Sequence, residues 1–311
     1  VVEGLKKEFS REFSEIKIEK GGFINFYLAK EHLLNSLSEV LKLPDIGKKK
    51  TVIIEHSQPN IAKLMHVGHL RSTVLGDALA NIYESLGYKA VRWNYLGDWG
   101  TQFGKLIAAY KLWGSEEEVE KNPIETLNNL YVRFHEEMKN RPEFEELGRN
   151  EFKKLEEGDK ENRIFWEWFK RESLKEFEKI YDTLGVKFDT YIGESFFQND
   201  LKPLINELRN KGIAKESEGA LIINLGKFDL PPALIQKSDG TSLYLTRDIA
   251  ALKYRIKEFK PEKILYVVGN EQSLHFQQFF AIAKIIGLGD FGLSHVKFGL
   301  VLGEDRKKLS S

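Results

Sequence analysis

His66, Gly68 and His69 are the residues of this chain whose types and spacing most directly suggest chemistry. The two histidines stand three apart, so on a helix they share one face. A helix N-terminus carries unpaired N–H groups aimed outward, and its dipole favours negative charge. Two imidazoles in such a first turn predict a phosphate site, read here as an ATP site. Attack on the α-phosphate of ATP builds charge on phosphoryl oxygens, and fixed donors stabilise that charge without reorganising. Gly68 leaves room for a flat base against the backbone. As a four-residue pattern, His-x-Gly-His also fits a plain pair of surface or capping histidines. A zinc site is disfavoured, because the HExxH context and a third ligand cluster are both missing.

The elements around the pair supply the context. Thr51–Glu55 is a buried-type strand, followed by a polar loop. From Leu70 the apolar residues Val74, Leu75, Leu79, Ile82 and Leu86 recur at helical spacing, and Gly87 marks the stop. Ala90–Tyr95 is a second strand, and residues 102–112 form the next helix. Strand–helix–strand at this spacing implies a right-handed βαβ unit on a parallel sheet.

Residues 115–187 interrupt the alternation. Ile124, Leu127, Leu130, Phe134 and Met138 form one helical stripe. Ile164, Phe165, Trp168, Phe169, Phe177, Ile180, Tyr181 and Leu184 form another. These aromatics suit a packed helix pair better than a stacking platform for nucleic acid. Residues 188–247 read as β-rich, with strands at Ala220–Leu225, Ala233–Gln236 and Ser242–Leu245 and a hairpin turn at Ser238-Asp239-Gly240. Residues 248–302 return to α/β: helix 247–258, strand Lys263–Gly269, helix 273–286 and strand Val296–Leu302. Upstream, Phe23–Leu28 is a strand candidate, with a helix pattern at Leu33, Leu34, Leu37 and Leu41. The architecture is a doubly wound parallel sheet split by an insertion.

The chain of 311 residues is 41% hydrophobic and 30% charged, with zero formal net charge and no cysteine. Neutral bulk charge gives no support for non-specific nucleic-acid binding, although a local basic patch is compatible with it. Without cysteine there is no disulfide frame or thiolate metal site, which reads as intracellular. No apolar run approaches membrane-spanning length. The chain opens at Val1 and closes at Lys307-Lys308-Leu309-Ser310-Ser311, and this reads as a fragment at both ends.

Four longer motifs then carry a family resemblance. Gln58-Pro59-Asn60-Ile61-Ala62-Lys63-Leu64-Met65-His66-Val67-Gly68-His69-Leu70-Arg71-Ser72-Thr73 resembles the first active-site (HIGH) motif of class I arginyl-tRNA synthetases. So do Tyr95-Leu96-Gly97-Asp98-Trp99-Gly100-Thr101-Gln102-Phe103-Gly104, Ser238–Asp248 and Gly269-Asn270-Glu271-Gln272-Ser273-Leu274-His275-Phe276. With the insertion, the resemblance runs over roughly 23–311. It departs from the family pattern at Gln58, commonly Ser, and at Leu64, commonly Pro; neither position is expected to supply a needed donor.

The resemblance implies roles residue by residue. His66 and His69 stabilise the ATP phosphates, and Gly68 seats the adenine. Asn60 and Gln272 hold the α-amino and carboxylate groups of arginine, while Lys63 faces the phosphates or the carboxylate. Glu194, Tyr244 and Asp248 form the guanidinium pocket, with Glu55 in support. A guanidinium needs planar bidentate acceptors, which agrees with that assignment. Asp248 taken alone is also a plain helix N-terminal acid, and Glu194 a loop charge. Gly303–Ser311 resembles the start of the mobile KMSKS-type loop, where Lys308 closes on the triphosphate or is simply a charged end.

The implied fold is the class I synthetase Rossmann-like sheet with a helical and β insertion. Its expected parts are residues 1–46, the remnant of a tRNA-contacting domain with its linker; 47–114, the first Rossmann half; 115–187, the insertion; 188–247, completing the arginine pocket; and 248–311, the second half. The implied activity is ATP-dependent activation of L-arginine and its transfer to tRNA(Arg), with Mg²⁺ accompanying ATP and no protein metal site. Other implied properties are a monomeric state, a cytoplasmic location, no membrane partner and little activity without tRNA. Rival readings are a freestanding nucleotidyltransferase of the same fold acting on another substrate, and a non-catalytic synthetase-derived binding module.

Overall fold

The computed structural model describes residues 2–40, 43–238, 243–289, 292–303, 306 and 309. The chain runs through α1 (Val2–Glu8), β1 (Phe13–Ile18), β2 (Ile24–Leu28) and α2 (Lys30–Val40) into β3 (Thr51–Glu55), α3 (Val67–Ser85) and β4 (Lys89–Trp93). Then come α4 (Thr101–Trp113), α5 (Glu116–Lys121), α6 (Pro123–Asn140), α7 (Glu143–Glu157) and α8 (Lys160–Leu184). After α9 (Gln198–Asn210) follow β5 (Ala214–Ser217), β6 (Ala220–Ile223), β7 (Ala233–Gln236), α10 (Tyr244–Phe259), β8 (Lys263–Gly269), α11 (Ser273–Ile285) and β9 (Gly292–Phe298).

The central sheet is parallel throughout, in the order β4-β3-β8-β9. The two central strands, β3 and β8, are the apolar, buried ones, because both their faces are covered; β9 at the edge has no buried residue. Val52, Ile54, Leu265 and Val267 pack with Ala80 of α3 on one face. Ile53, Trp93, Ile264 and Tyr266 pack with Ile249 and Leu252 of α10 and Phe279 of α11 on the other. From β3 the chain moves to β4 on one side, and from β8 to β9 on the other. The crevice at the carboxyl ends of β3 and β8 is therefore the switch point of the doubly wound sheet, where such folds place their ligands.

The insertion is a helical unit with its own core. Leu127, Leu130 and Phe134 of α6, Phe152 and Leu155 of α7, and Phe169, Phe177 and Tyr181 of α8 surround Leu106 and Ile107 of α4. The packing reading of the two stripes holds, except that Ile164 and Leu184 face outward. At the N-terminal end, the β1–β2 hairpin and α2 leave Ile18, Phe23, Phe26, Leu33, Leu34 and Leu37 exposed.

Several expected boundaries move. Residues 188–247 are less β-rich than their composition suggests: α9 lies within them, with Leu201, Leu204, Ile205 and Leu208 on its buried face and Pro203 inside it. Of the proposed strand Ser242–Leu245, Tyr244 and Leu245 instead begin α10, with Leu243 as its N-cap and Leu245, Ile249 and Leu252 turned inward at helical spacing. The last strand covers Gly292–Phe298 rather than Val296–Leu302, because its partner β8 ends at Gly269, opposite Phe298. Asp239, Gly240, Thr241 and Ser242 of the third motif, and Lys308, lie outside the described residues.

Candidate active site

The histidine pair sits at the start of α3, where the sequence places it. His66 is the N-cap, in extended backbone geometry. Its Nδ1 accepts from the Gly68 amide at 3.0 Å, and His69 Nδ1 accepts from the His66 amide at 3.2 Å. This is a capping box built from two imidazoles in place of hydroxyl and carboxylate. An Nδ1 that accepts a backbone N–H leaves the proton of a neutral ring on Nε2. The rings stack with centroids 3.8 Å apart and planes 19° from parallel. Burial, then the neighbouring His66, lowers the His69 pKa to about 4. At neutral pH His69 is thus an uncharged Nε2–H donor. The capping reading and the phosphate reading describe one arrangement: the cap fixes the tautomer that donates.

A cleft of about 300 Å³ opens beside the pair, lined by Gln58, His66, Gly68, His69, Gln272 and Val301, among others. A Cβ at residue 68 would come within 2.8 Å of the His66 ring, so glycine is needed first to let that ring lie flat. The loop feeding the helix is contorted: Ser57, Gln58 and Ala62 have φ of 72°, 56° and 59°. Such left-handed backbone at non-glycine residues persists where surroundings hold it, often at sites of function. Here α8 does the holding. Tyr181 Oη and Ser57 Oγ are 2.7 Å apart, and the Ala62 amide donates to Ser173 Oγ at 2.8 Å.

The arginine-end candidates gather on the other side of the same loop. Glu55 ends β3 beside Trp93 and Tyr266 in the parallel register. Its carboxylate pairs with Arg255 of α10, whose guanidinium is fully buried over the rings of Trp93, Tyr95 and Tyr266. Glu55 thus meets its countercharge inside the protein. It also accepts from Gln58 Nε2 at 2.5 Å. Gln58 therefore supplies a donor after all, in contrast to the expectation from sequence, because the positive φ there turns its side chain back onto β3.

Glu194 and Asp248 are differently placed. Glu194 lies in a 3-10 turn (Glu194–Phe197) and is 8% exposed. Its Oε2 is buried without a hydrogen-bond partner among the described residues, and Arg247 is 4.0 Å away. Burial raises its pKa to about 8, with Arg247 opposing and Asp248 and Asp98 adding. The hydroxyl of Tyr95, its pKa raised by burial and then by Asp248 and Glu194, is also buried without a hydrogen-bond partner among the described residues. Asp248 Oδ2 meets His275 Nε2 at 2.7 Å. Burial pulls the His275 pKa down, but Asp248 outweighs it and holds it above its usual value. Tyr244 is largely exposed in the first turn of α10, its ring near Arg247.

Asn60 bridges to Gly97 in parallel fashion, and a Cβ at 97 would strike Asn60 Oδ1 at 2.2 Å. The first and second motifs thus touch at a point only glycine permits. Lys63 Nζ lies 5.1 Å from the Tyr131 ring of α6. His275, Tyr95 and Arg255 have no role in the reading from sequence, and Gln58 enters it only as a departure from the family pattern. His275 and Tyr95 lie within the quoted motifs, and Arg255 follows Arg247 by two helical turns on the buried face of α10. Among the described residues, no group of three or more His, Cys, Asp or Glu is placed to hold a metal ion.

A parallel switch-point crevice with a helix N-terminus at its floor defines a nucleotide-binding α/β domain. Comparison with known proteins carries this further. The model of the family described as tRNA synthetases class I (R), catalytic domain, matches residues 32–311, and the chain belongs to that family. It is 48% identical over 297 residues to the arginine–tRNA ligase of Clostridioides difficile, covering 93% of this chain and 52% of that protein. It is 53% identical over 266 residues to arginine–tRNA ligase 1 of Bacillus cereus, covering 85% and 47%. The crystal structure of arginyl-tRNA synthetase from Plasmodium falciparum superposes with a TM-score of 0.76 at 32% identity, covering 94% of this chain and 53% of that one. The Thermus thermophilus arginyl-tRNA synthetase shares the fold, with a TM-score of 0.74 at 23% identity, covering 99% and 61%. The chain spans about half the length of the curated relatives it matches.

Proposed function

We propose that this chain carries the catalytic site of an ATP-dependent arginine–tRNA ligase. In the first step a carboxylate oxygen of L-arginine attacks the α-phosphorus of ATP. The bond from that phosphorus to the bridging oxygen breaks, and pyrophosphate leaves. In the second step a hydroxyl of the terminal ribose of tRNA(Arg) attacks the arginyl carbonyl carbon, and AMP leaves. No protein nucleophile takes part; positioning and fixed donors carry the catalysis. His66 and His69 face the phosphates, with Gly68 beside the base. Asn60 and Gln272 take the amino-acid backbone groups, and Glu194, Asp248 and Tyr244 take the guanidinium. Magnesium enters with the triphosphate as part of the substrate. Lys63 acts from the loop behind Asn60, and Lys308 from the C-terminal segment.

The observation that carries this reading is the unsatisfied acidic cluster. Among the described residues, Glu194 Oε2 and Tyr95 Oη are buried without a hydrogen-bond partner, both under the electrostatic influence of Asp248, and Arg247 comes only within 4.0 Å of Glu194. Such groups are costly when left unpaired, and a bound planar cation offsets that cost. The test is a thermal-shift series with ATP, L-arginine, L-lysine and L-citrulline, followed by arginine-dependent pyrophosphate exchange with and without tRNA(Arg). Arginine alone among the amino acids stabilises the chain, and exchange is weak until tRNA is added. Stabilisation by lysine or citrulline equal to that by arginine overturns the substrate assignment, and brisk exchange without tRNA overturns the tRNA dependence.

A further inference from the structure

Asp98 is a fully buried carboxylate between β4 and α4 that the reaction outlined above does not use. All its contacts lead to two places. Oδ1 accepts from the Ser195 amide at 2.8 Å, and Oδ2 accepts from Ser195 Oγ at 2.7 Å. On the other side, Oδ2 accepts from Lys170 Nζ at 2.5 Å, and the Asp98 carbonyl accepts from Trp166 Nε1 at 2.7 Å. Lys170 and Trp166 belong to α8 of the insertion. Ser195 follows Glu194 directly, and the Glu194 amide itself donates to the Leu96 carbonyl at 3.0 Å. A Cβ at Gly193 would lie 2.5 Å from that carbonyl and 2.7 Å from Asp98 Oδ1, so the approach is closed to any other residue. The turn bearing Glu194 is thus clamped at three successive residues onto residues 96–98.

We infer that Asp98 is a positioning residue for the cation-binding end of the site, setting Glu194 through Ser195 and registering that turn against the insertion through Lys170 and Trp166. The inference rests on Glu194 being the guanidinium acceptor proposed above. The chemistry fits the division of labour. Asp98 spends both oxygens on fixed donors inside the protein and has none to offer a ligand. Glu194 Oε2 is buried and makes no hydrogen bond among the described residues. A short, charge-assisted clamp is what a carboxylate needs behind it to meet a planar guanidinium bidentately, since that geometry tolerates little displacement. Lys170 offsets the charge that Asp98 would otherwise place unpaired in the interior.

Titration calorimetry of the chain with L-arginine, L-citrulline and ATP tests this, using Asp98→Asn, Ser195→Ala, Glu194→Gln and the Asp98→Asn/Glu194→Gln double variant. The asparagine keeps one acceptor for the Ser195 amide but cannot accept from both Ser195 Oγ and Lys170. The arginine Kd rises about tenfold in Asp98→Asn and about threefold in Ser195→Ala, ATP affinity stays within twofold, and arginine-over-citrulline preference falls in step. Adding Asp98→Asn to Glu194→Gln changes the arginine Kd by less than twofold, because the residue acts through Glu194. A merely structural Asp98 gives the opposite pattern: a lower melting temperature and fewer binding-competent molecules, with an unchanged Kd and an additive double variant. That result overturns the inference. Should Asp98→Asn not fold, Ser195→Ala, which leaves the Asp98–Lys170 pair in place, decides alone, and an unchanged Kd there overturns it. If Glu194→Gln binds arginine like the parent chain, the arginine-pocket reading itself fails. If Glu194→Gln weakens binding while Asp98→Asn and Ser195→Ala do not, only the positioning role fails.

Discussion

At the phosphate cleft both histidines come from one turn of one helix, and backbone amides fix their rings. At the acidic cluster Glu55, Glu194 and Asp248 come from a strand end, a 3-10 turn and a helix. The histidine pair is held by a capping box, and His69 stays uncharged with a pKa of about 4. The cluster is rich in buried carboxyl groups and incomplete: Glu194 Oε2 and Tyr95 Oη have no hydrogen-bond partner among the described residues, and Arg247 stands 4.0 Å from Glu194. The difference teaches which part of the site can be general and which must be selective. Neutral donors at a helix end suit any triphosphate, and they are ready before it arrives. Unanswered buried acceptors are unfavourable until one particular cation completes them, so they reject substrates lacking it. Even within the cluster the contrast recurs: Glu55 is answered closely by Arg255 and Asp248 by His275, while Glu194 has only Arg247 at 4.0 Å.

The largest effect expected from this contrast falls on Asp248. Asp248→Asn removes one of the two carboxylates that face an incoming guanidinium and should weaken arginine binding about 10³-fold, about 4 kcal/mol, with ATP binding unchanged. Calorimetric titration with each ligand separately measures it. A comparable loss of ATP affinity would mean that the two ends are not separable.

His69→Ala is the counterpart at the other end. It removes a donor aimed at charge that develops only during the reaction, so it should lower kcat for pyrophosphate exchange about 10²-fold. The KM for arginine should stay within twofold. A rise in that KM with kcat preserved would move His69 from the phosphates to the amino acid.

A third effect separates the ends by pH. Glu194 has a pKa of about 8 against an ordinary value of 4.5, raised by burial first, with Arg247 opposing. The proton it holds stabilises the free protein fully below about 4.5, and that contribution is lost as pH rises through about 8. Arginine needs the ionised form, so its affinity should rise about five- to tenfold between pH 7 and about 8.5. His275 acts in the same direction, because losing its proton leaves Asp248 without a competing cation. In Glu194→Gln the slope should flatten to the His275 share. ATP affinity should not follow this profile, since His69 stays neutral throughout.

The same contrast explains what was legible in the sequence. The histidine pair, its strand and its helix are set by short-range signals, namely a β-branched run, a helical stripe from Leu70 and the stop at Gly87, and the observed α3 obeys them. The cluster depends on pairings between distant segments. Asp248 and Tyr244 are legible only through the third motif, and Glu194, outside all four motifs, only through the family resemblance. Arg255 went unnamed because a cation on a helix ordinarily reads as solvent-facing; only the sheet register places Glu55, Trp93 and Tyr266 together to receive it. The last strand was misplaced for a related reason. Its apolar run continues to Leu302, but the hydrogen-bonding partner stops at Gly269. In α9, Pro203 and the polar start of the helix hid a clear stripe at Leu201, Leu204, Ile205 and Leu208.

The smallest expected effect concerns the loop that separates the two ends. Residues 57–62 carry three left-handed non-glycine positions; α8 supplies partners to Ser57 and Ala62, and Asn94 and Glu55 to Gln58. Ser173→Ala removes the acceptor of the buried Ala62 amide without touching any residue that meets a substrate. An unsatisfied buried amide costs about 1–3 kcal/mol, so thermal and denaturant unfolding should register a loss near the lower end, where a water can reach the vacated hydroxyl site. Arginine and ATP affinities should each fall less than threefold, and together, because the loop carries Asn60 toward one substrate and His66 toward the other. A loss confined to one ligand would show that α8 supports only that end. An unchanged stability would show that the left-handed backbone at Ala62 is held from within the loop, and that the insertion merely leans against it.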